Sequence, residues 1–112
     1  RRVFIVNKCK LYWTETAQRD LEDILYYIAL DSIEGAMEKY AKIKESTKLL
    51  ETFPAEGRII PELSKNNITK YRELLVDLWR IMYKKEQDTI YIMAVIDGRR
   101  NIEDILLQRQ LR

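Results

Sequence analysis

Four arginines define the chemistry this sequence can carry. Arg72 and Arg80 sit in two runs of strand-forming residues, YRELLV and WRIMYKKE, and Arg99-Arg100 follow a third run, TIYIMAVI. Lys84 and Lys85 lie close behind Arg80. A strand that only builds a core has little use for guanidinium groups, whereas their planar fork of N–H donors suits phosphate and carboxylate. Side chains alternate faces along a strand. With a two-residue loop between the first two runs, Leu75 pairs with Arg80 and Arg72 falls on the opposite face. With a three-residue loop, Arg72, Leu74, Arg80 and Met82 share a face, and the two arginines form a phosphate-binding pair. Both registers are open at this stage, as is a structural use of the same charges in an ion pair with Glu73 or Asp77. Arg99-Arg100 either extends a basic patch or forms a solvated turn. Tyr71, Tyr83 and Tyr91 are either base-stacking groups or core. Glu62, a loop carboxylate, is the candidate general base.

Composition narrows these options. The chain has no histidine, which excludes Ser-His-Asp and Cys-His catalysis and every histidine-based metal site. Cys9 is the one cysteine, so no internal disulfide forms, in keeping with a reducing cytoplasm; Lys8 and Lys10 flank it, but a lone thiol is usually incidental. No cofactor or metal is implied. Residues 1–56 hold 9 basic against 10 acidic side chains, and residues 57–112 hold 11 against 8, a mild skew that permits an anionic partner. No apolar run approaches the ~18 residues of a membrane span, and RRVFIVNKCK lacks the long apolar core of a signal peptide. At 112 residues the expectation is one domain, spanning 1–112.

The elements that must position these residues follow from periodicity. VFIV (Val3 to Val6) and LYW (Leu11 to Trp13) read as strand. Thr14 reads as an N-cap, and Ala17, Leu21, Ile24, Leu25 and Ile28 recur at helical spacing as far as about Leu30, with Asp20, Glu22 and Asp23 facing away. After Asp31-Ser32, a second helix carries the seam Ala36, Tyr40, Ile43, Thr47 and Leu50, making an antiparallel hairpin that ends at Phe53-Pro54. Residues 56–67 read as loop. Strands are predicted from Ile68 or Tyr71 to Val76, Trp79 to Lys84 and Thr89 to Ile96; their short connections require an antiparallel meander, with the doubly apolar last strand in a central position. Asn101 caps a short final helix with the stripe Ile102, Ile105 and Leu106. The result is an α+β fold, β-α-α-β-β-β plus a C-terminal helix, in which one helix layer covers one sheet face and the other face stays partly open.

Three segments, TETAQRDLEDILYYIA, LLETFPAEGRIIPEL and YRELLVDLWRIMYKKEQDTIYIMAVIDGRRNIEDIL, resemble in order and spacing the RelE/ParE superfamily of toxins from type II toxin–antitoxin modules, over about Trp13 to Gln110. The resemblance implies a helical hairpin on an antiparallel sheet and a growth-inhibiting toxin neutralised by a cognate antitoxin, which lays a C-terminal segment over it. RelE-like members cut messenger RNA in the ribosome. On their pattern Arg80 and Arg100 match, Arg72 replaces a lysine, Glu62 stands for a glutamate found before the sheet in some branches, Leu74 stands at another expected lysine, and Leu106 lies near an expected Tyr or His. ParE-like members lack that set and poison DNA gyrase. The hairpin, the FPAEGR loop and the GRRNIEDIL ending resemble this side more. The expectation is a cytoplasmic ParE-like toxin, with the ribosome-dependent endoribonuclease and an inactive antitoxin-binding module as alternatives.

Overall fold

The computed structural model describes residues 8–111; the strand expected at Val3 to Val6 lies outside them. Five strands form one sheet in the order β1-β5-β4-β3-β2. They are β1 (Lys10–Trp13), β2 (Arg58–Ile59), β3 (Tyr71–Val76), β4 (Trp79–Glu86) and β5 (Thr89–Asp97). The meander β3-β4-β5 is antiparallel, as the short connections require. The sheet as a whole is mixed, because β1 enters beside β5 and runs parallel to it. The helices are α1 (Glu15–Ala29), α2 (Ile33–Lys48), the single turn α3 (Pro61–Ser64) and α4 (Ile102–Gln108), with a 3-10 turn at Leu49–Glu51. None is long and apolar enough to cross a membrane.

Local chemistry sets these boundaries. The Thr14 hydroxyl accepts from the Ala17 N–H and donates to the Ile92 carbonyl at 2.7 Å, so the cap that starts α1 also ties it to β5. Ser32 and Asn101 cap α2 and α4 through the N–H groups of Gly35 and Asp104. The β3–β4 loop is two residues, Asp77 and Leu78, and Leu75 pairs with Arg80. Asp77 takes the left-handed conformation, φ 55°, which aspartate tolerates. Its carboxylate accepts from Lys39 and from Lys42, at 2.7 Å in the second case, which pins the turn to α2.

Both faces of the sheet are covered, so a single helix layer is not the whole account. On one face α1 and α2 bring Ala17, Leu21, Ile43 and Leu50 onto Val76, Ile81, Tyr83, Ile90, Ile92 and Val95. On the other, Leu63 from α3 and Ile102, Ile105 and Leu106 from α4 pack on Tyr71, Met82, Ala94 and Ile96. A register shift opposite Met82/Tyr83 lets β5 serve both cores. It inserts Met93, so Ile90 and Ile92 face the hairpin before the bulge and Val95 does so after it. The central position expected for the last strand is met, since β5 lies between β1 and β4.

Two expected orientations are corrected. Tyr40 does not belong to the buried seam of α2; it is 45% exposed. Asp20 does not face away: it accepts the Val95 N–H at 3.0 Å and both terminal nitrogens of Arg109 at 2.6 and 2.9 Å. Because β1 stops at Trp13, the edge of β5 beyond it has no strand partner, and Asp20 satisfies that edge while anchoring the end of α4.

The segment read as loop, 56–67, contains β2 and α3, and it is attached at Gly57. The Tyr83 hydroxyl accepts the Gly57 N–H at 2.9 Å and donates to the Pro54 carbonyl at 2.8 Å. A Cβ at position 57 would come within 2.6 Å of the Glu73 carbonyl oxygen, so the backbone passes there only as glycine. Tyr83→Phe keeps the ring but strands both backbone groups; it is expected to cost roughly 1–3 kcal/mol in denaturant unfolding, with an unchanged m-value.

Candidate functional site

The two-residue β3–β4 loop separates the candidate arginines. Arg80 shares a face with Glu73 and Met82, under α3 and α4, whereas Arg72 pairs with Tyr83 on the hairpin face. Arg72 donates to the Gly57 carbonyl at 2.8 Å and so holds the β2 segment. Arg100 is exposed in the turn before α4, and among the described residues its side chain has no ion-pair partner. Its neighbour Arg99 is held by Asp97, and that bond keeps the Asp97 carboxyl down at about 2. Arg72, Arg80 and Arg100 therefore do not converge on one surface.

Arg80 and Glu62 are brought together. The Glu73 carboxylate, wholly buried, accepts from Arg80 Nε at 2.7 Å and Nη2 at 3.0 Å, and from Arg58 Nε at 2.7 Å. Glu62, on α3, takes the other side of the same guanidinium, accepting from Nη1 at 2.8 Å and Nη2 at 2.6 Å. Each carboxylate engages two nitrogens, so the fork is filled on both sides. The hydrogen bond from Arg80 is the main cause that holds the Glu62 carboxyl below its ordinary value, and the bond to Glu62 in turn raises Arg80. Chemically this is a neutral cluster of two arginines and two glutamates, in which the Arg80 fork is occupied by carboxylates on both sides. Glu73 was legible as one of two candidate partners for an arginine; Arg58 was not, because nothing in the EGRII segment marks it as strand.

The remaining candidates divide between core and surface. Tyr71 and Tyr83 are buried. Tyr91 packs edge-on against Tyr12, centroids 5.8 Å apart, with Lys84 Nζ 6.0 Å from its ring. Lys44 lies over the Trp13 ring at 4.1 Å, and its burial there lowers its pKa. The largest concentration of exposed apolar groups lies on the hairpin: Tyr26, Tyr27, Leu30, Ile33 and Met37 are each 67–77% exposed. Beside them runs an apolar groove between α1 and α2, lined by Leu25, Ile33, Ala36, Met37, Tyr40 and Ala41. A face of this kind fits an amphipathic helix from another chain.

Comparison with known proteins agrees with this architecture. The family described as "ParE toxin of type II toxin-antitoxin system, parDE" matches residues 11–102. A solved structure described as a chromosomal ParDE TA system from P. aeruginosa superposes with a TM-score of 0.65 at 22% identity, covering 81% of this chain and 97% of that one. No curated protein matches.

The Arg80 cluster yields two expectations. Arg80→Ala leaves the buried Glu73 carboxylate with Arg58 alone and should destabilise the fold by about 3–5 kcal/mol in denaturant unfolding. Glu62, whose folded pKa lies below its ordinary 4.5, contributes stability that is complete above that value and is lost as pH falls below it. The stability difference between the wild type and Glu62→Gln should therefore hold from pH 7 down to about 4.5 and shrink as pH falls below it in urea melts; a constant difference across that lower range would contradict this assignment.

Proposed function

Because the chain belongs to the ParE toxin family of type II toxin–antitoxin systems, we propose that it arrests growth in the cytoplasm by acting on DNA gyrase, without cutting RNA, and that a cognate antitoxin restrains it. The observation that carries the choice of target is the state of Arg80. A ribonuclease of the related type needs cations free to meet a phosphate, and here the arginine in the matching strand is engaged by Glu62 and Glu73. Arg72 points to the opposite face, and Arg100 stands alone in an exposed turn. Leu106, near the position where such enzymes carry a Tyr or His, is buried in the α3/α4 core and offers no proton-transfer group.

The antitoxin reading rests on the hairpin. Its exposed apolar side chains and the groove beside them form a surface that an amphipathic segment would cover, through anchors spaced along one helix face. Arg58, Arg72 and Arg80 of the sheet then serve the toxin's own architecture.

Induction of the chain without its antitoxin should stop growth while transcript 5′ ends, mapped genome-wide within minutes, stay unchanged and gyrase–DNA covalent complexes accumulate. New 5′ ends in a fixed reading-frame phase would identify a ribosome-dependent nuclease instead. Harmless expression would identify an inactive antitoxin-binding module.

A further inference from the structure

We propose that the outer flank of α1, centred on Tyr27 between Asp23 and Asp31, is the surface with which the toxin meets its target, and that the matching patch on that protein is an apolar recess ringed by cations. The inference rests on the gyrase reading above and adds the face of the toxin and the chemistry of the partner. Tyr27 is 77% exposed, more than any other large apolar side chain among the described residues, and Leu30, one turn on, is 69% exposed. A tyrosine in such a position offers a large, rigid contact at small entropic cost, the kind of residue from which an interface draws most of its energy.

Tyr27 lies outside the groove between α1 and α2. It follows the groove residue Leu25 by two positions, about 200° around the helix, so the two side chains point to nearly opposite sides. It shares instead the flank of Asp20, which borders β5. A helix laid in the groove therefore leaves Tyr27 uncovered. Such a helix still stands only about 10–12 Å away, the width of α1, which is close enough to exclude a protein-sized target. Antitoxin and target thus take different surfaces and cannot bind together.

Charge selects the partner. Residues 15–48 hold eight acidic against five basic side chains, on a chain whose net charge is +2. Most of those bases are engaged within the chain: Arg19 by Glu15, Lys39 and Lys42 by Asp77, and Lys44 by the Trp13 ring. Asp23, one turn before Tyr27, and Asp31, one turn after it, are exposed and have no ion-pair partner among the described residues. In the turn after β5, Arg99 is held by Asp97, and Arg100 pairs with neither acid. Carboxylates left unmet around an exposed apolar side chain complement a cationic surface, which an enzyme that grips a DNA backbone must present. A second copy of the chain is a poor match, because two such flanks would set like charges against each other.

The test compares the full chain with Tyr27→Ala, with the double variant Asp23→Lys/Asp31→Lys, and with Glu56→Lys, a charge reversal in the exposed loop after α2. Every side chain changed is exposed, so an unchanged Tm is expected throughout. Each protein is induced without antitoxin to score growth arrest, and purified to score covalent complexes between purified gyrase and DNA. Tyr27→Ala and the double variant are expected to lose growth arrest and to need roughly tenfold more protein for half-maximal complex formation, while Glu56→Lys matches the wild type. Wild-type potency in Tyr27→Ala or in the double variant overturns the proposal, and so does an equal loss in Glu56→Lys. Growth arrest by the wild type without gyrase complexes overturns the gyrase reading alone; loss of that arrest in Tyr27→Ala and the double variant then upholds the flank as the target surface, and its persistence overturns it. A harmless wild type overturns both. A wild-type dimer in light scattering that Tyr27→Ala dissociates would assign the flank to a second copy and overturn the proposal.

Discussion

A carboxylate shut away from water must be met by cations, and in this protein that carboxylate is Glu73. Its side chain is wholly buried between β2, β4 and the α3/α4 layer, where an unpaired charge would cost several kcal/mol. Arg80 meets it from the neighbouring strand and Arg58 from the other side. Those contacts have consequences at a distance. Arg58 is half of the two-residue strand β2, so its bond to Glu73 helps hold the edge of the sheet. Arg80 extends a second pair of donors to Glu62 and fastens α3 over the sheet. The second helical face thus depends on one buried acid, and the arginine that looks most like a phosphate ligand is drawn into structure.

That arrangement determines what remains for partners. With α1 and α2 on one face and α3 and α4 on the other, the sheet offers only a limited open surface near Tyr12 and Tyr91. The unsatisfied apolar area lies instead on the outer side of the hairpin. The cations along α2 face mainly inward functions. Lys39 and Lys42 hold the Asp77 turn, and Lys44 covers Trp13. A toxin built this way presents apolar side chains outward on its helices and commits Arg80, Lys39, Lys42 and Lys44 to its own structure.

Much of the fold was legible along the chain because periodicity and capping are local. The helical hairpin, its Thr14 and Ser32 caps, the three-strand meander and the Asn101-capped last helix each follow from a few adjacent residues. The family resemblance was legible for the same reason, since it lies in the order and spacing of those segments. Features made between distant segments were not. Asp20 looks like one more solvated acid on α1 until β1 ends early and leaves the Val95 N–H unmet. The GRIIPELS segment lacks strand or helix periodicity, because β2 and α3 are too short to show any and are held by Arg72, Tyr83 and the Glu73 cluster.

The amino-acid order by itself thus determined the class of fold, the longer elements and the set of charged residues available. It also ruled out histidine chemistry. Only the tertiary structure decided which of those charges face one another. A β-strand alternates faces with every residue, so the choice between a two-residue and a three-residue loop at Asp77 moved Arg72 and Arg80 to opposite sides of the sheet. Register is a property of two strands together, and burial of a charge is a property of every layer around it. Neither is written in any one segment, and together they split a candidate phosphate-binding pair, tying Arg80 to Glu62 and Glu73 and Arg72 to the Gly57 carbonyl.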